Sequence, residues 1–275
     1  MNYRHAFHAG NHADCLKHAL LLALLETFHR KPTPFRVLDT HAGRWRYDLA
    51  AEEARRTGEW LRGAGRLQGV VDGPLAPFVA AIRAQGFPQA YPGSPALIRA
   101  ALRPQDALIA VELHPEEHAA LRALFAGDRQ VAVHRRDGYE ALRAFTPFPE
   151  KRGLILMDPP FEQEDEFSDL TEAIRAARRK FGAGVMAAWY PIKHRAPVRA
   201  FHQAIADGGM RDVVAAELFL REPTDPGRLN GSGLLVVNPP FGFEDAARAI
   251  LAALLERLGE GEPGQGTALH RVAEE

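Results

Sequence analysis

Five short apolar runs, each long enough for a β-strand and too short for a helix, recur along the chain with helical patterns between them. They lie at 35–39, 107–112, 130–134, 153–157 and 184–190, and helical periodicity fills 115–126, 137–145 and 166–181. Strands alternating with helices build a parallel sheet covered by helices on both faces. Two further runs, Val213 to Leu220 and Leu234 to Val237, follow a helical stretch at 196–207 and are separated by the turn-rich segment 223–233. They predict a closing antiparallel hairpin. The expected fold class is therefore α/β, Rossmann-like, with a mostly parallel sheet and a C-terminal antiparallel hairpin.

The sheet is framed by a first helix over Ala13 to Arg30, with Asn11 as its cap and Pro32 and Pro34 stopping it, and a last helix over 243–258. Beyond it, Gly259-Glu260-Gly261-Glu262-Pro263-Gly264 opens a tail, 259–275, expected to be disordered. In a simple nucleotide fold the acid ending strand two follows the first turn by about 20 residues. Here Glu112 lies 73 positions after Asp39. The excess falls between 47 and 92, where two helical patterns (50–63 and 74–85) predict a helical insertion near the ligand face of one domain spanning 1–258.

The 34 Lys and Arg against 35 Asp and Glu, a net charge of -1, exclude a bulk positive field, so any nucleic-acid site is a local patch. His134-Arg135-Arg136 and the stretch Arg175 to Lys180 are candidate phosphate contacts, and Lys17 is a third. The single cysteine, Cys15, excludes an internal disulfide framework. The longest purely apolar run, Ala19 to Leu25, is too short to span a bilayer, and no signal segment opens the chain. A soluble, cytoplasmic, monomeric protein with no membrane partner is expected.

Asp158-Pro159-Pro160-Phe161 follows the apolar run Leu154 to Met157 directly, at the strand end where ligands bind in such sheets. An adenine amino group is a poor nucleophile because its lone pair is delocalised into the ring. Asp158 and the carbonyl of Pro159 can accept its two N–H bonds and take the proton, while Phe161 stacks on an unstacked base. Asp39-Thr40-His41-Ala42-Gly43 is a strand end followed by a glycine turn that lets backbone approach a cofactor. Glu112 suits ribose hydroxyls, Asp137-Gly138 can bracket an adenine ring or cap a helix, and Ser94 before Pro95 has the form of an N-cap. The string from Tyr3 to His12 carries four histidines, with Lys17 and His18 beyond. No carboxylate or thiolate completes a metal set there, so a polar lip contacting cofactor or RNA is expected, with no metal.

Together these segments resemble the bacterial 23S rRNA adenine-N6 methyltransferases of the RlmJ type. The carriers are Tyr-Arg-His-Ala-Phe-His-Ala-Gly-Asn-His-Ala-Asp at 3–14 with Leu16-Lys17-His18, Leu-Asp-Thr-His-Ala-Gly at 38–43, Tyr-Pro-Gly-Ser-Pro at 91–95, Glu112-Leu113-His114-Pro115, and Asp158-Pro-Pro-Phe. The resemblance covers all but the tail. It implies a class I methyltransferase fold, S-adenosylmethionine as donor, and an adenine of protein-free or early-assembling 23S rRNA as acceptor. It also implies cofactor contacts from Lys17, His18, His41, Gly43, Ser94, Glu112, Asp137, Gly138 and Asp158, with Asp158, Pro159 and Phe161 at the reacting amine. One departure stands out: the family continues its first turn with a second glycine, whereas this chain reads Gly43-Arg44-Trp45-Arg46. Either Trp45 points away or cofactor affinity is altered.

A nicotinamide dehydrogenase is disfavoured, because no G-x-G-x-x-G follows the first strand. A DNA adenine or protein glutamine methyltransferase, and a non-catalytic RNA-binding module on the same scaffold, stay open as alternatives. A second tetrapeptide, Asn238-Pro239-Pro240-Phe241, matches the amine pattern equally well. It follows the strand expected to run opposite to the others, so it is expected to be a structural turn on the far edge.

Overall fold

The computed structural model describes residues 4–274; Tyr3 of the N-terminal string lies outside them. Helix α1 (His12–His29) begins where the Asn11 side chain accepts from the N–H groups of Ala13 and Asp14 at 2.9 and 3.0 Å. Leu16, Leu20, Leu21, Leu24, Leu25 and Phe28 leave it buried on nearly every face, which makes it a core helix. Strand β1 (Arg36–Asp39) follows.

The insertion opens with β2 (Arg46–Asp48) and closes with β3 (Ala90–Pro92), which pair antiparallel with Tyr47 opposite Tyr91. Between them lie α2 (Glu52–Thr57), α3 (Glu59–Arg62) and α4 (Ala76–Ala84). This two-stranded ribbon holds the ends of the insertion together, a device the expected pair of helices did not include. Then come α5 (Ser94–Ala101), β4 (Ala107–Val111), α6 (Pro115–Leu124), β5 (Val131–His134), α7 (Gly138–Phe145), β6 (Gly153–Met157), α8 (Glu166–Lys180), β7 (Val185–Ile192) and α9 (Arg195–Asp207). The chain ends with β8 (Val213–Phe219), β9 (Gly231–Val237), α10 (Phe243–Leu258) and β10 (Gly266–Ala273).

Eight strands form one sheet in the order β10-β8-β9-β7-β6-β1-β4-β5. β1 runs parallel to β4 and β6, β4 to β5, and β6 to β7. β9 is antiparallel to both β7 and β8, so β8 runs with β7, and β9 is inserted between them. This is the class I methyltransferase sheet. Its parallel strands deliver their C-terminal residues, Asp39, Glu112, Asp137 and Asp158 among them, to one edge.

The expectation of a disordered tail fails for 266–273. Those residues pair antiparallel with β8, from Gly266 opposite Phe219 to Ala273 opposite Val213. The backbone of β8 would otherwise be an open edge, and the added strand satisfies it. Arg271 fixes the pairing, its guanidinium donating to Asp212 at 2.8 Å and Glu244 at 2.5 Å.

Candidate functional site

A cavity of about 990 Å3 opens at the edge where the parallel strands end. Lys17, His18, His41, Gly43, Ser94, Glu112, Asp137, Gly138, Asp158, Pro159 and Phe161 all line it, although they come from six separate segments.

On one wall, Glu112 accepts from the N–H of Gly43 at 2.8 Å and of His114 at 2.7 Å, which fixes the carboxylate across the first turn. Burial raises its pKa, opposed by those two N–H groups. Asp137 caps α7, accepting from Tyr139 and Glu140 through Oδ1. Gly138 is required by space: a Cβ there would come within 2.6 Å of both His41 Cε1 and the Thr40 carbonyl. Gly43 sits at φ 61°, where a side chain is strained, and a Cβ would also meet the Tyr47 hydroxyl at 2.6 Å. Trp45 turns away from the cavity and packs edge-on against Phe125, ring centroids 4.9 Å apart, which answers the question raised by its place in the turn. Ser94 does not cap its helix. Gly93 holds the N-cap position, and the Ser94 hydroxyl instead donates to Asp39 at 2.7 Å.

The opposite wall is built on charge. Lys17, 4% exposed, bonds Asp158 Oδ2 at 2.5 Å and Asp14 Oδ1 at 3.0 Å. Burial works against its ammonium, but the two carboxylates raise its pKa. Asp14 takes further bonds from His5 at 2.9 Å and the Gly10 N–H at 2.8 Å. Burial opposes its charge too, yet His5, Lys17 and His18 hold it well below the usual carboxylate range. A buried ammonium held between two carboxylates cannot serve as a phosphate contact, so that expectation for Lys17 is corrected. Phe161 adopts φ 49°, an outlier for a bulky residue, and is held there against Phe167 and Trp189 at centroid distances of 4.8 and 5.8 Å. Such a backbone costs about 1–3 kcal/mol and tends to sit at functional positions.

Asn238-Pro239-Pro240-Phe241 lies elsewhere. Val237 pairs with Met186 and Val213, near the starts of β7 and β8, so the motif leaves the sheet on the far edge. Asn238, at φ 52°, donates to the carbonyls of Gly182 and Gly184 at 2.9 and 2.8 Å, and Phe241 is 93% exposed. The basic stretch Arg175 to Lys180 ends α8 and leads toward the start of β7, away from the cavity. Arg135 and Arg136 follow β5 on the correct edge but do not line the cavity either.

Among the described residues no group of three or more His, Cys, Asp or Glu is arranged to hold a metal ion. The histidine string serves the walls instead: His5 bonds Asp14, His8 bonds Glu59 at 3.0 Å, and His18 Nδ1 meets the Tyr91 hydroxyl at 2.9 Å. Burial pushes His18 down to about 3 and His12 and His41 to about 4, so these rings are neutral at pH 7. Among the described residues, the buried atoms His12 Nε2, His18 Nε2 and His114 Nδ1 have no hydrogen-bond partner, although all three residues line the cavity. Orphaned polar atoms around such a space call for a polar ligand. With the Glu112 carboxylate and the flat Gly138 cradle, the donor set fits a nucleoside cofactor such as S-adenosylmethionine. Reasoning from sequence missed Asp14, Tyr139, Glu166, Trp189 and Lys193. Only the string at 3–14 hinted at Asp14; the others carry no local signal.

The family model described as "Ribosomal RNA large subunit methyltransferase D, RlmJ" matches residues 32–271. The Escherichia coli (strain K12) protein "Ribosomal RNA large subunit methyltransferase J" is 36% identical over 279 residues, covering 100% of each chain. The Haemophilus influenzae protein of that name is also 36% identical, over 264 residues and 94% of each chain. Among solved structures, protein LPL1258 from Legionella pneumophila matches with a TM-score of 0.87 at 31% identity, covering 96% of this chain and 98% of that one.

Proposed function

The chain belongs to the RlmJ family of ribosomal RNA large subunit methyltransferases, and from that premise we propose that it methylates N6 of one adenine in 23S rRNA with S-adenosylmethionine, at the cavity around Asp158. The observation that carries the reading is the Lys17 bond to Asp158 Oδ2 in a cavity that Glu112, Asp137 and Gly138 also line. His18, His41, Gly43, Ser94, Glu112, Asp137 and Gly138 would hold the cofactor, and Lys17 and Asp158 border the same cavity. When bound, S-adenosylmethionine supplies an electrophilic methyl group.

The chain's own residues do the rest. Lys17 fixes one oxygen of Asp158, which leaves Oδ1 to accept an N–H of the adenine amine, while the Pro159 carbonyl accepts the other. Two acceptors in the amine plane draw the lone pair out of the ring and toward the methyl group. Methylation by the bound cofactor would break its methyl–sulfur bond, leave the neutral thioether and cost the amine one proton, which Asp158 Oδ1 is placed to take. Phe161 and Trp189, at the mouth, stack on the flipped base and exclude water.

The test is methyl transfer from labelled cofactor to protein-free 23S rRNA, followed by mapping of the modified base. A single N6-methyladenine is expected. Faster methylation of adenine-bearing duplex DNA would replace RNA with DNA as the substrate.

A further inference from the structure

The wall of the cavity facing α8 is acidic, carrying Glu162, Glu166 and Asp169, whereas the insertion, the end of β7 and the loop between β8 and β9 present cations. Arg62 ends α3, Lys193 follows β7, and Arg228 lies in the β8–β9 loop; all three are exposed and line the cavity. We propose that Arg62, Lys193 and Arg228 form a rim that binds the phosphates flanking the target adenosine, so that the RNA strand enters between the insertion and the β8–β9 loop. The proposal rests on the reading of the chain as an RNA methyltransferase and adds where the RNA lies.

Charge at this rim is left largely uncompensated. With nearly equal numbers of cations and anions, many guanidinium groups in this chain are drawn to carboxylates, such as Arg36 to Glu150 at 2.7 Å, Arg99 to Asp128 at 2.6 Å and Arg103 to Asp106 at 2.8 Å, and those carboxylates are then spent. At the rim this pairing is thin. Neither the Arg62 nor the Lys193 side chain makes a hydrogen bond or ion pair among the described residues, and Arg228 has its nearest carboxylate, Glu262, at 3.9 Å.

The carboxylates nearby are already engaged. Glu59 accepts from His8 and Asn11, Glu260 from Arg66 at 2.6 Å, and Glu262 takes the Arg221 guanidinium through both oxygens at 3.0 Å. Three long cations from three separate elements suit a polyanion with one charge per nucleotide. The acidic side chains Glu162, Glu166 and Asp169 of the same cavity repel that backbone and disfavour entry past α8. Sequence pointed instead to Arg135 and Arg136, because contiguous charge is visible in a sequence and charge assembled from three loops is not.

The test compares wild type, an Arg62→Gln/Lys193→Gln/Arg228→Gln variant and an Arg135→Gln/Arg136→Gln variant. Each binds a labelled, short, single-stranded, adenine-containing RNA, read by fluorescence anisotropy over a range of salt concentrations. Each phosphate contact on a single strand contributes about 0.7 to the slope of log K against log salt. The triple variant is therefore expected to lose affinity tenfold or more and to show a slope shallower by about 2. The double variant is expected to match wild type, and calorimetric affinity for S-adenosylmethionine to be equal in all three. Wild-type affinity and slope in the triple variant, or an equal loss in the double variant, would overturn the rim. Binding is read without methyl transfer, so the two claims separate. A wild-type chain that binds RNA through these cations yet methylates none would sink the enzymatic reading and support the rim.

Discussion

Without the Lys17 ammonium, Asp14 and Asp158 would face each other across a buried gap with no cation between them. Breaking a buried pair by removing one partner destabilises by about 3–5 kcal/mol. Lys17→Met is therefore expected to lower the urea midpoint by that equivalent and to abolish turnover, while Asp14→Asn/Lys17→Met regains stability and stays inactive. If the double variant also regained turnover, Lys17 would be a structural residue only. Asp158→Ala, at the proposed amine site, is expected to reduce kcat a hundredfold or more with cofactor affinity nearly unchanged, because the bonds proposed for it matter most in the transition state. Asn238→Ala, on the far edge, is expected to change stability alone; a folded, cofactor-binding and inactive Asn238→Ala beside an active Asp158→Ala would reverse the two roles. Gly138→Ala brings a methyl group against His41 and the Thr40 backbone, so calorimetry is expected to record cofactor affinity at least tenfold weaker. Asp158 and Glu112 were legible because each follows an apolar run directly, and Gly138 because it stands beside an acidic residue shortly after one. Asp14 and Trp189 were not: Asp14 acts through Lys17 on a carboxylate 144 positions away and Trp189 packs on Phe161, 28 positions away, and no local pattern encodes such a relation.

The parallel strands and their crossover helices were readable because burial on both faces leaves uninterrupted apolar runs, Leu154 to Met157 being the clearest. Strand β10 was not readable, since it is an edge strand, half exposed along its length and preceded by Gly and Pro. Its contribution is nonetheless predictable. Truncation after Gln265 uncovers the edge of β8 and removes the Arg271 bonds to Asp212 and Glu244. The truncated chain is expected to melt lower and to aggregate, followed by light scattering during a thermal ramp. A truncated chain as stable and monodisperse as the full one would make β10 dispensable. The ribbon of β2 and β3 escaped notice for another reason: three-residue strands are too short to show periodicity.

For the whole molecule, acid is the stress its buried rings resist least. His12, His18, His41 and His202 have folded pKa values lowered to about 4, 3, 4 and 4, all by burial first, against 6.5 in the unfolded chain. The unfolded chain therefore binds protons that the folded one refuses. Their stabilisation is complete above pH 6.5 and is lost as pH falls toward 4. Asp39, raised to about 7 by burial, acts in the opposite sense: its contribution is full below about pH 4 and is lost as pH rises toward 7. Glu112, Glu166 and Glu217, also raised by burial, share that sense. His202 lies outside the cavity, bonded to the Tyr190 hydroxyl at 3.1 Å, and isolates the histidine effect. His202→Gln is expected to lose less Tm than wild type between pH 6.5 and 4, by scanning calorimetry. Parallel curves would remove His202 from the account.

Helix α1 is made first and finished last. Its apolar faces pack on α10 and β9, and its lysine meets a carboxylate 141 residues downstream. During synthesis at about 5–20 residues per second, that oily segment waits on the order of ten seconds or more for its partners to leave the ribosome. Over that interval it is a natural client for chaperones. No product of translation that stops short of Asp158 can own the Lys17–Asp158 pair, so its appearance marks that the ribosome has passed the middle of the chain.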